Sequence, residues 1–567
     1  MKKTILILMI FISILFCAIS CGQRIPTDEK NTSGSDTTTD TSNETETGSS
    51  IDDNGVQLVS EGIAQFVIVC TDSAYISPAE YLATTLNAKT GAVFSLQDTV
   101  PVKGEAHAMF VGSVDTENYV KAYENISYSG YGAQYVDGDI YLCGYEEATV
   151  SKAVQKFTSG ILSSNTTVGA SGKKNCVIPE KLFFTSSPAY SISSPKLLGK
   201  PLSGYGVMFD GDASDAEKAV MQIFWKKTGK YTGCVLTYSS EKDGQIIFSK
   251  QTSPNDSYSY SLKSEGSTIR AEYGNLTSMF FAMDALFNAY SADTSSGIDI
   301  SGSAWDGDSV AKTDVSHIRV MSSNVLMPDP MGGEDLPLAV RAQVLSEYYS
   351  LYRPDFIGLQ EANTDFKNYI MSDLGSLYSM VESKEVTTKN YTPLLYRSDL
   401  YEVIDSKFHQ FAVDGCWSYE WALYTSKTDS TVRILHMNLH YHYQSTESRM
   451  PGVTEVNLEL KRLKTLYPDA VVFVTGDYNC YTTSPEFNAM MSGLDMQSGM
   501  LLTEDSDGDR LGHHTLGSVA SDLTSHAIDH VSVNPNQVKV IKHRMIFDEL
   551  VAYATDHCPI FIDVTII

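Results

Sequence analysis

The stretch VVFVTGDYNC, Val471 to Cys480, constrains the fold of this chain most tightly. Val471, Val472, Phe473 and Val474 form a continuous run of β-branched and aromatic residues, the pattern of a strand covered on both faces. The run ends at once in Gly476, Asp477, Tyr478 and Asn479. Gly, Asp and Asn favour turns, so the polar end taken alone is most simply a turn. Asp477 and Asn479 stand two residues apart and therefore share a face.

The same device recurs between about Val315 and Ile567. HIRVMSSN ends a strand on Asn324, and RPDFIGLQEAN delivers Gln360 and Glu361 at another strand end. In TVRILHMNLHYHYQ, His436, Asn438, His440 and His442 alternate, which puts all four on one side of a strand. Asp529-His530 interrupts a further strand, and Asp556-His557 precedes Pro559 and a closing strand. Each has a plain reading: a strand-end Glu is usually solvated, and a polar strand face can be exposed. Two of the alternating histidines could also hold a metal.

In this order the motifs Asn, Gln-Glu, Asn-x-His, Gly-Asp-x-Asn, Ile-Asp-His and Asp-His-x-Pro resemble the endonuclease/exonuclease/phosphatase superfamily, over about Val315 to Ile567. Thr555 stands where Ser is commoner, and Cys558 follows the last Asp-His pair. The resemblance implies a four-layer α/β sandwich, two packed sheets with helices outside, and a site where strand ends of both sheets converge. It implies hydrolysis of a phosphoester with Mg²⁺ or Mn²⁺.

On that resemblance Glu361 would hold the metal, with Asn324 beside it and Asp556 near it. Asp477 would orient or deprotonate the attacking water, and Asn479 would fix that water or the phosphate. His557 would bond a phosphate oxygen, with Asp529 orienting it and favouring its charged form. His440 would protonate the leaving oxygen or bind phosphate, with His442 as a competitor for that place. Arg449 is a candidate phosphate contact, or else a structural arginine. His513 and His514 would line the substrate side.

The whole chain has 567 residues, too many for one core. Lys2 and Lys3 precede the apolar run Ile5 to Ala18, which reads as an export signal (residues 1–20). Ala18-Ile19-Ser20-Cys21 resembles a bacterial lipobox, so Cys21 is the expected lipid attachment site, holding the protein to the outer face of a bacterial membrane. Residues 21–56 include NTSGSDTTTDTSNETETGSS, which has no apolar residue and reads as a flexible tether. The formal net charge of −28 opposes tight binding to nucleic acid backbones but does not exclude a phosphate substrate held through a cation. The nine cysteines show neither a disulfide framework nor zinc spacing.

Residues 57–190 and 191–300 read as two copies of a small β-α-β-β-β-β-α module, each with Lys-Thr-Gly ending its first helix, at Gly91 and Gly229. They resemble the small α+β domain that precedes the catalytic domain in several glycoside hydrolase families. Packing or spacing is their expected role, carbohydrate binding the alternative. Residues 301–314 read as a linker.

The expected fold class is thus an α/β (α+β) multidomain chain, a four-layer sandwich after two tandem small α+β domains. The expected protein is a monomeric, surface-anchored phosphodiesterase or phosphatase acting on nucleic acid or a small phosphodiester. The competing readings are a sphingomyelinase-like lipid phosphodiesterase, for which Met327 to Leu338 is a poor docking loop, and a non-catalytic glycan-binding lipoprotein.

Overall fold

The structure, a computed structural model, describes residues 43–45, 55–251, 258–291, 297–304, 316–328, 336–383, 390–412, 417–503, 505 and 527–567, apart from positions 103, 105, 124, 125 and 547. The export signal, Cys21, most of the tether, Cys416, His513, His514 and much of Met327 to Leu338 lie outside the described residues.

In the C-terminal part the chain runs β1 (His317–Asn324), α1 (Leu338–Tyr352), β2 (Phe356–Gln360), α2 (Thr364–Leu374), β3 (Tyr378–Met380), β4 (Leu394–Arg397), β5 (Tyr401–Gln410), β6 (Ser418–Ser426), β7 (Arg433–His440), α3 (Thr446–Leu466), β8 (Val471–Asp477), α4 (Pro485–Ser492), β9 (Gln497–Ser498), β10 (Asp529–Val533), β11 (Val538–Met545), α5 (Glu549–Ala554) and β12 (Ile560–Ile566). Among the described residues these strands make two six-stranded sheets, ordered β3-β4-β2-β1-β12-β11 and β5-β6-β7-β8-β10-β9. The sheets face each other across Val320, Phe356, Tyr424, Phe473, Val531 and Ile562, all buried. Helices α1, α2 and α5 cover the first sheet, and α3 and α4 cover the second. This is the expected four-layer sandwich.

The sheet order explains why so many strand ends converge. Each sheet is mixed, with one parallel pair at its centre: β1 with β2, and β7 with β8. Parallel neighbours finish at the same edge. The registers set Asn324 opposite Gln360, His440 opposite Asp477, and Asp477 opposite Asp529.

The first N-terminal module has a seven-stranded sheet carrying helices Ile76–Thr90 and Glu147–Gly160, with a second, four-stranded sheet beside it. The short helix Glu117–Tyr123 is an addition to the expected order. The second module has a five-stranded sheet with helices Asp215–Thr232 and Leu276–Ser291. Two expectations fail there. The strand that the β-α-β-β-β-β-α order puts directly after the first helix does not form over YTGCVLTY, Tyr231 to Tyr238, where only Tyr238 bridges to Val207. Its helix does not stop at Gly229 but continues to Thr232 and is closed by Gly233 in the left-handed conformation (φ 75°). Gly229 serves close approach instead: a Cβ there would lie 2.1 Å from the Tyr128 ring of the first module.

Helix α1 is buried almost all round, which its sequence LAVRAQVLSEYYSLY permits because apolar residues occupy every face. Its outer side packs on the second module, so Tyr348, Met283 and Phe224 belong to one continuous core. Glu347 reaches across and caps the helix starting at Leu276, accepting from Thr277 N at 2.8 Å, Thr277 Oγ1 at 2.7 Å and Leu276 N at 3.2 Å. Lys227 lies 2.5 Å from Asp284 of its own module and 2.5 Å from Glu549 across the same boundary. Replacing Glu347 with alanine removes a cap and orphans these donors. We expect a loss of about 1–2 kcal/mol in urea unfolding; an unchanged midpoint would show that the cap contributes nothing.

Candidate active site

The strand ends meet as one hydrogen-bonded cluster. Asn324 Nδ2 donates to Glu361 Oε1 and to Asp477 Oδ2, each at 3.1 Å, and so joins the two sheets. Leu326 N donates to Asn324 Oδ1 at 3.0 Å, which fixes the amide with its nitrogen toward the carboxylates. Glu361 also accepts from Met327 N at 2.8 Å. Asp477 Oδ1 accepts from Asn479 N at 2.8 Å, and Asn479 Nδ2 is tied to Tyr441 O at 2.8 Å. His440 Nε2 stands 3.4 Å from Asp477 Oδ2, and His557 Nε2 stands 3.8 Å from the same oxygen. His557 Nδ1 bonds Asp529 Oδ2 at 2.7 Å. The backbone at Leu326, Glu361 and Asn479 has positive φ (55°, 63° and 49°), conformations non-glycine residues adopt only when surroundings hold them there.

Electrostatics divide the carboxylates into roles. Burial alone would raise the Asp477 carboxyl; the hydrogen bond with His440 and the charge of His557 overcome it and hold Asp477 ionised well below the usual carboxylate range. Burial would strip His557 of its proton; the Asp529 carboxylate overcomes this and keeps the imidazole charged well above the usual histidine range. Burial pushes Asp529 up as well. The two form one buried pair sharing a proton, and Asp477 near Nε2 keeps that proton on His557. Glu361 is raised by burial, with Asp556 adding repulsion and His440 opposing it.

These residues fit a divalent cation at Glu361 and Asp556. The two carboxylates repel one another, Asp556 Oδ1 is a buried oxygen without a hydrogen-bond partner, and hard oxygen donors suit Mg²⁺ or Mn²⁺. A second grouping, Asp477, Asp529 and His557, brings one ligand atom from each within 4.8 Å of one another. Its His557–Asp529 contact is already a short hydrogen bond, so we assign it to proton handling. Asn324 presents its amide nitrogen here, and in this arrangement it positions Glu361 and Asp477 rather than offering an oxygen ligand.

The alternating residues of β7 have separate fates. His436 and Asn438 are buried between the sheets. His436 bonds Thr475 Oγ1 at 2.8 Å, and burial lowers its pKa to about 3, which keeps it neutral. Asn438 takes Gln360 Nε2 at 2.6 Å and gives Nδ2 to Leu359 O at 2.6 Å, stitching the sheets together. His440 reaches the cluster, whereas His442 lies beyond the strand and contacts Trp417 and Tyr443. Arg449 is not brought to the cluster. Its Nε and Nη2 bind Glu486 Oε1 at 2.7 and 2.5 Å, so its guanidinium is engaged away from any phosphate position.

Gly358 belongs to the same seam. An added Cβ would sit 2.1 Å from Thr475 Oγ1 and 2.4 Å from Asn438 Oδ1. We expect Gly358→Ala to cost about 1–3 kcal/mol by overpacking. Thermal unfolding checks this, and an unaltered midpoint would contradict the tight seam.

One supporting residue, Arg341, escaped sequence reading, and another, Thr555, was noted there only as a departure from Ser. Arg341, buried in α1, donates to Ala554 O at 2.7 Å and Val325 O at 2.6 Å, tying the loop after β1 to the segment before Asp556. A lone arginine inside LAVRAQVL was the available signal. Thr555 Oγ1 donates to Asn324 O at 2.7 Å, so the position where Ser is commoner keeps its hydroxyl.

No family model and no curated protein matches the chain. Similar solved structures include an endonuclease/exonuclease/phosphatase from Bacteroides vulgatus, 20% identical, covering 44% of this chain and 99% of that one at a TM-score of 0.39. Another is a mannosyl-6-phosphatase from Bacteroides thetaiotaomicron VPI-5482, 16% identical, covering 44% of this chain and 99% of that one at 0.37. A third is D. rerio TDP2 complexed with a single-strand DNA product, 20% identical, covering 44% and 99% at 0.36.

Proposed function

We propose that the C-terminal domain is a divalent-metal-dependent phosphoesterase that cleaves phosphodiester or phosphomonoester bonds. The observation that carries this reading is the set Glu361, Asn324, Asp477, Asn479, Asp529 and His557, gathered from both sheets into one cluster of hydrogen bonds and ion-pair contacts. Such a cluster supplies both charges that phosphoester hydrolysis needs, an anionic acceptor for water and a cation for the phosphoryl oxygens.

A cation held by Glu361 and Asp556 would neutralise phosphate charge and polarise the phosphoryl group. Asp477, kept ionised by His440 and His557, accepts a hydrogen bond from the attacking water and aligns it. Its depressed pKa makes it an orienting acceptor more than a strong base. Asn479, pinned to Tyr441 O, limits where that water sits. His557, charged through Asp529, donates toward a phosphoryl oxygen and strengthens as charge develops there. His440 donates to the leaving oxygen.

The test is a hydrolysis panel of DNA, RNA, sphingomyelin, inositol phosphates and sugar phosphoesters with the full chain, in Mg²⁺, in Mn²⁺ and in chelator. We expect metal-dependent turnover of at least one phosphoester class. Absence of turnover across the panel in both metals would overturn the reading.

A further inference from the structure

Beside the phosphate-handling cluster stands an aromatic wall that takes no part in the steps above. Trp417, immediately before β6, is only 3% exposed. Its ring meets His440 edge to face, with centroids 4.6 Å apart and planes at 84°. It also packs on His442 at 4.9 Å and on Tyr443 at 5.9 Å. His442 and Tyr443 are partly exposed and lie face to face, 5.2 Å apart with planes 10° from parallel. Through Trp417 this stack sits one ring away from His440, which itself touches Asp477.

The stack is held rigidly. Arg449 Nη1 donates to Tyr443 O at 3.2 Å and His442 O at 3.4 Å, while Glu486, fully buried, anchors the guanidinium. Thr446 Oγ1 donates to Glu486 at 3.1 Å and completes the support. Gln444 N donates to His442 Nδ1 at 3.1 Å, which places any ring proton of neutral His442 on Nε2. Gln444 Nε2 donates to the Tyr443 hydroxyl at 3.1 Å. Burial, reinforced by Arg449 and His440, lowers the His442 pKa, so the ring stacks as a neutral imidazole. A buried ion pair is costly to assemble, and this one immobilises two ring-bearing residues at the edge of the cluster. Trp417 Nε1 and His440 Nδ1 are buried nitrogens without a hydrogen-bond partner, and such groups usually have one.

We propose that His442 and Tyr443, backed by the buried Trp417, form a ring-binding subsite, and that the substrate is a phosphoester whose organic arm carries a planar ring, of aryl or nucleotide type, stacked on this wall. The proposal rests on the phosphoesterase reading for the position of the phosphate. Arg449 acts here as a positioning residue, through the two carbonyls it holds. Plain alkyl phosphates leave the wall uncovered and bind through the phosphate alone.

The test is calorimetric titration of phenyl phosphate and methyl phosphate into the full chain, as wild type, as the double variant His442→Ala/Tyr443→Ala, and as Tyr443→Phe. Phenyl phosphate should bind wild type about tenfold more tightly than methyl phosphate, the scale of one ring stacked on an aromatic face. The ratio should fall to near one in the double variant with methyl phosphate affinity unchanged, and should persist in Tyr443→Phe. Equal affinities in wild type, no binding of phenyl phosphate, or a ratio unaltered in the double variant would overturn the proposal. These readings need no turnover, so a failure to hydrolyse any ester counts against the phosphoesterase reading alone.

Discussion

Asp477→Asn should lower kcat/KM for bis(p-nitrophenyl) phosphate by about three orders of magnitude while the fold survives. The substitution keeps the shape of the side chain and removes its charge. Asp477 Oδ2 accepts from Asn324 Nδ2 at 3.1 Å and faces His440 at 3.4 Å and His557 at 3.8 Å. An amide there must turn either a donor toward three donors or a single oxygen toward them, and it cannot hold a water by two anionic lone pairs. Loss of the charge also weakens retention of the His557 proton. Because the Asp477 pKa is depressed on folding, its pairing contributes stability above the unfolded carboxylate pKa of about 3.9 and loses it as pH falls through the folded value. The variant should therefore be less stable than wild type at neutral pH, with the difference shrinking in strong acid. Steady-state rates with thermal unfolding at two pH values check both parts. Turnover within tenfold of wild type would remove Asp477 from the reaction.

Asp529→Asn should reduce turnover by about a hundredfold or more and move the alkaline limb of the pH–rate profile to lower pH. Asp529 touches His557 Nδ1 at 2.7 Å and is the main group raising its pKa against burial. Among the described residues, the carboxylates of Asp477, at 3.8 Å, and Asp556, at 4.0 Å, also face His557 Nε2. These two favour the same charged form, so the shift is downward without abolishing protonation in acid. The sign for stability follows: a histidine raised on folding contributes fully below its unfolded pKa of about 6.5, and the contribution disappears as pH rises through the folded value. Asn at position 529 should cost stability at pH 6 and little at high pH. A parallel loss of rate at every pH, with the limb unmoved, would make Asp529 a packing residue only.

The C-terminal sheets were legible because their central strands are covered on both faces and so read as unbroken apolar runs. VVFV is β8, between β7 and β10, and FIGLQ is β2, between β1 and β4. The polar strand ends were equally legible as residue types. Their partners were not, since hydrogen bonds such as Asn324 to Asp477 span 153 positions of chain. The alternation was read correctly as one face for His436, Asn438 and His440 but not for His442, which lies beyond the strand end at His440, and sequence could not say that this face lies between two sheets and is mostly consumed in holding them together.

Arg449 shows the limit from the other side. In STESRM it looks exposed, and only the fold brings Glu486 to it. In the second N-terminal module, Lys-Thr-Gly read as a helix stop. The first copy does end that way, at Gly91 with φ 74°. In the second copy Gly229 packs under Tyr128, and the helix uses Gly233 four residues later. Identical tripeptides were resolved differently by tertiary contact.

The most direct measurement is the rate of bis(p-nitrophenyl) phosphate hydrolysis by the chelator-treated full chain, before and after Mg²⁺ is restored, in wild type and in Glu361→Gln. Glu361 is a buried carboxylate that burial and the charge of Asp556 push up, which a cation would offset. The account predicts no turnover after chelation, recovery in wild type on adding Mg²⁺, and no recovery in Glu361→Gln. Turnover that ignores the chelator, or a Glu361→Gln variant that recovers to the wild-type rate, would contradict it.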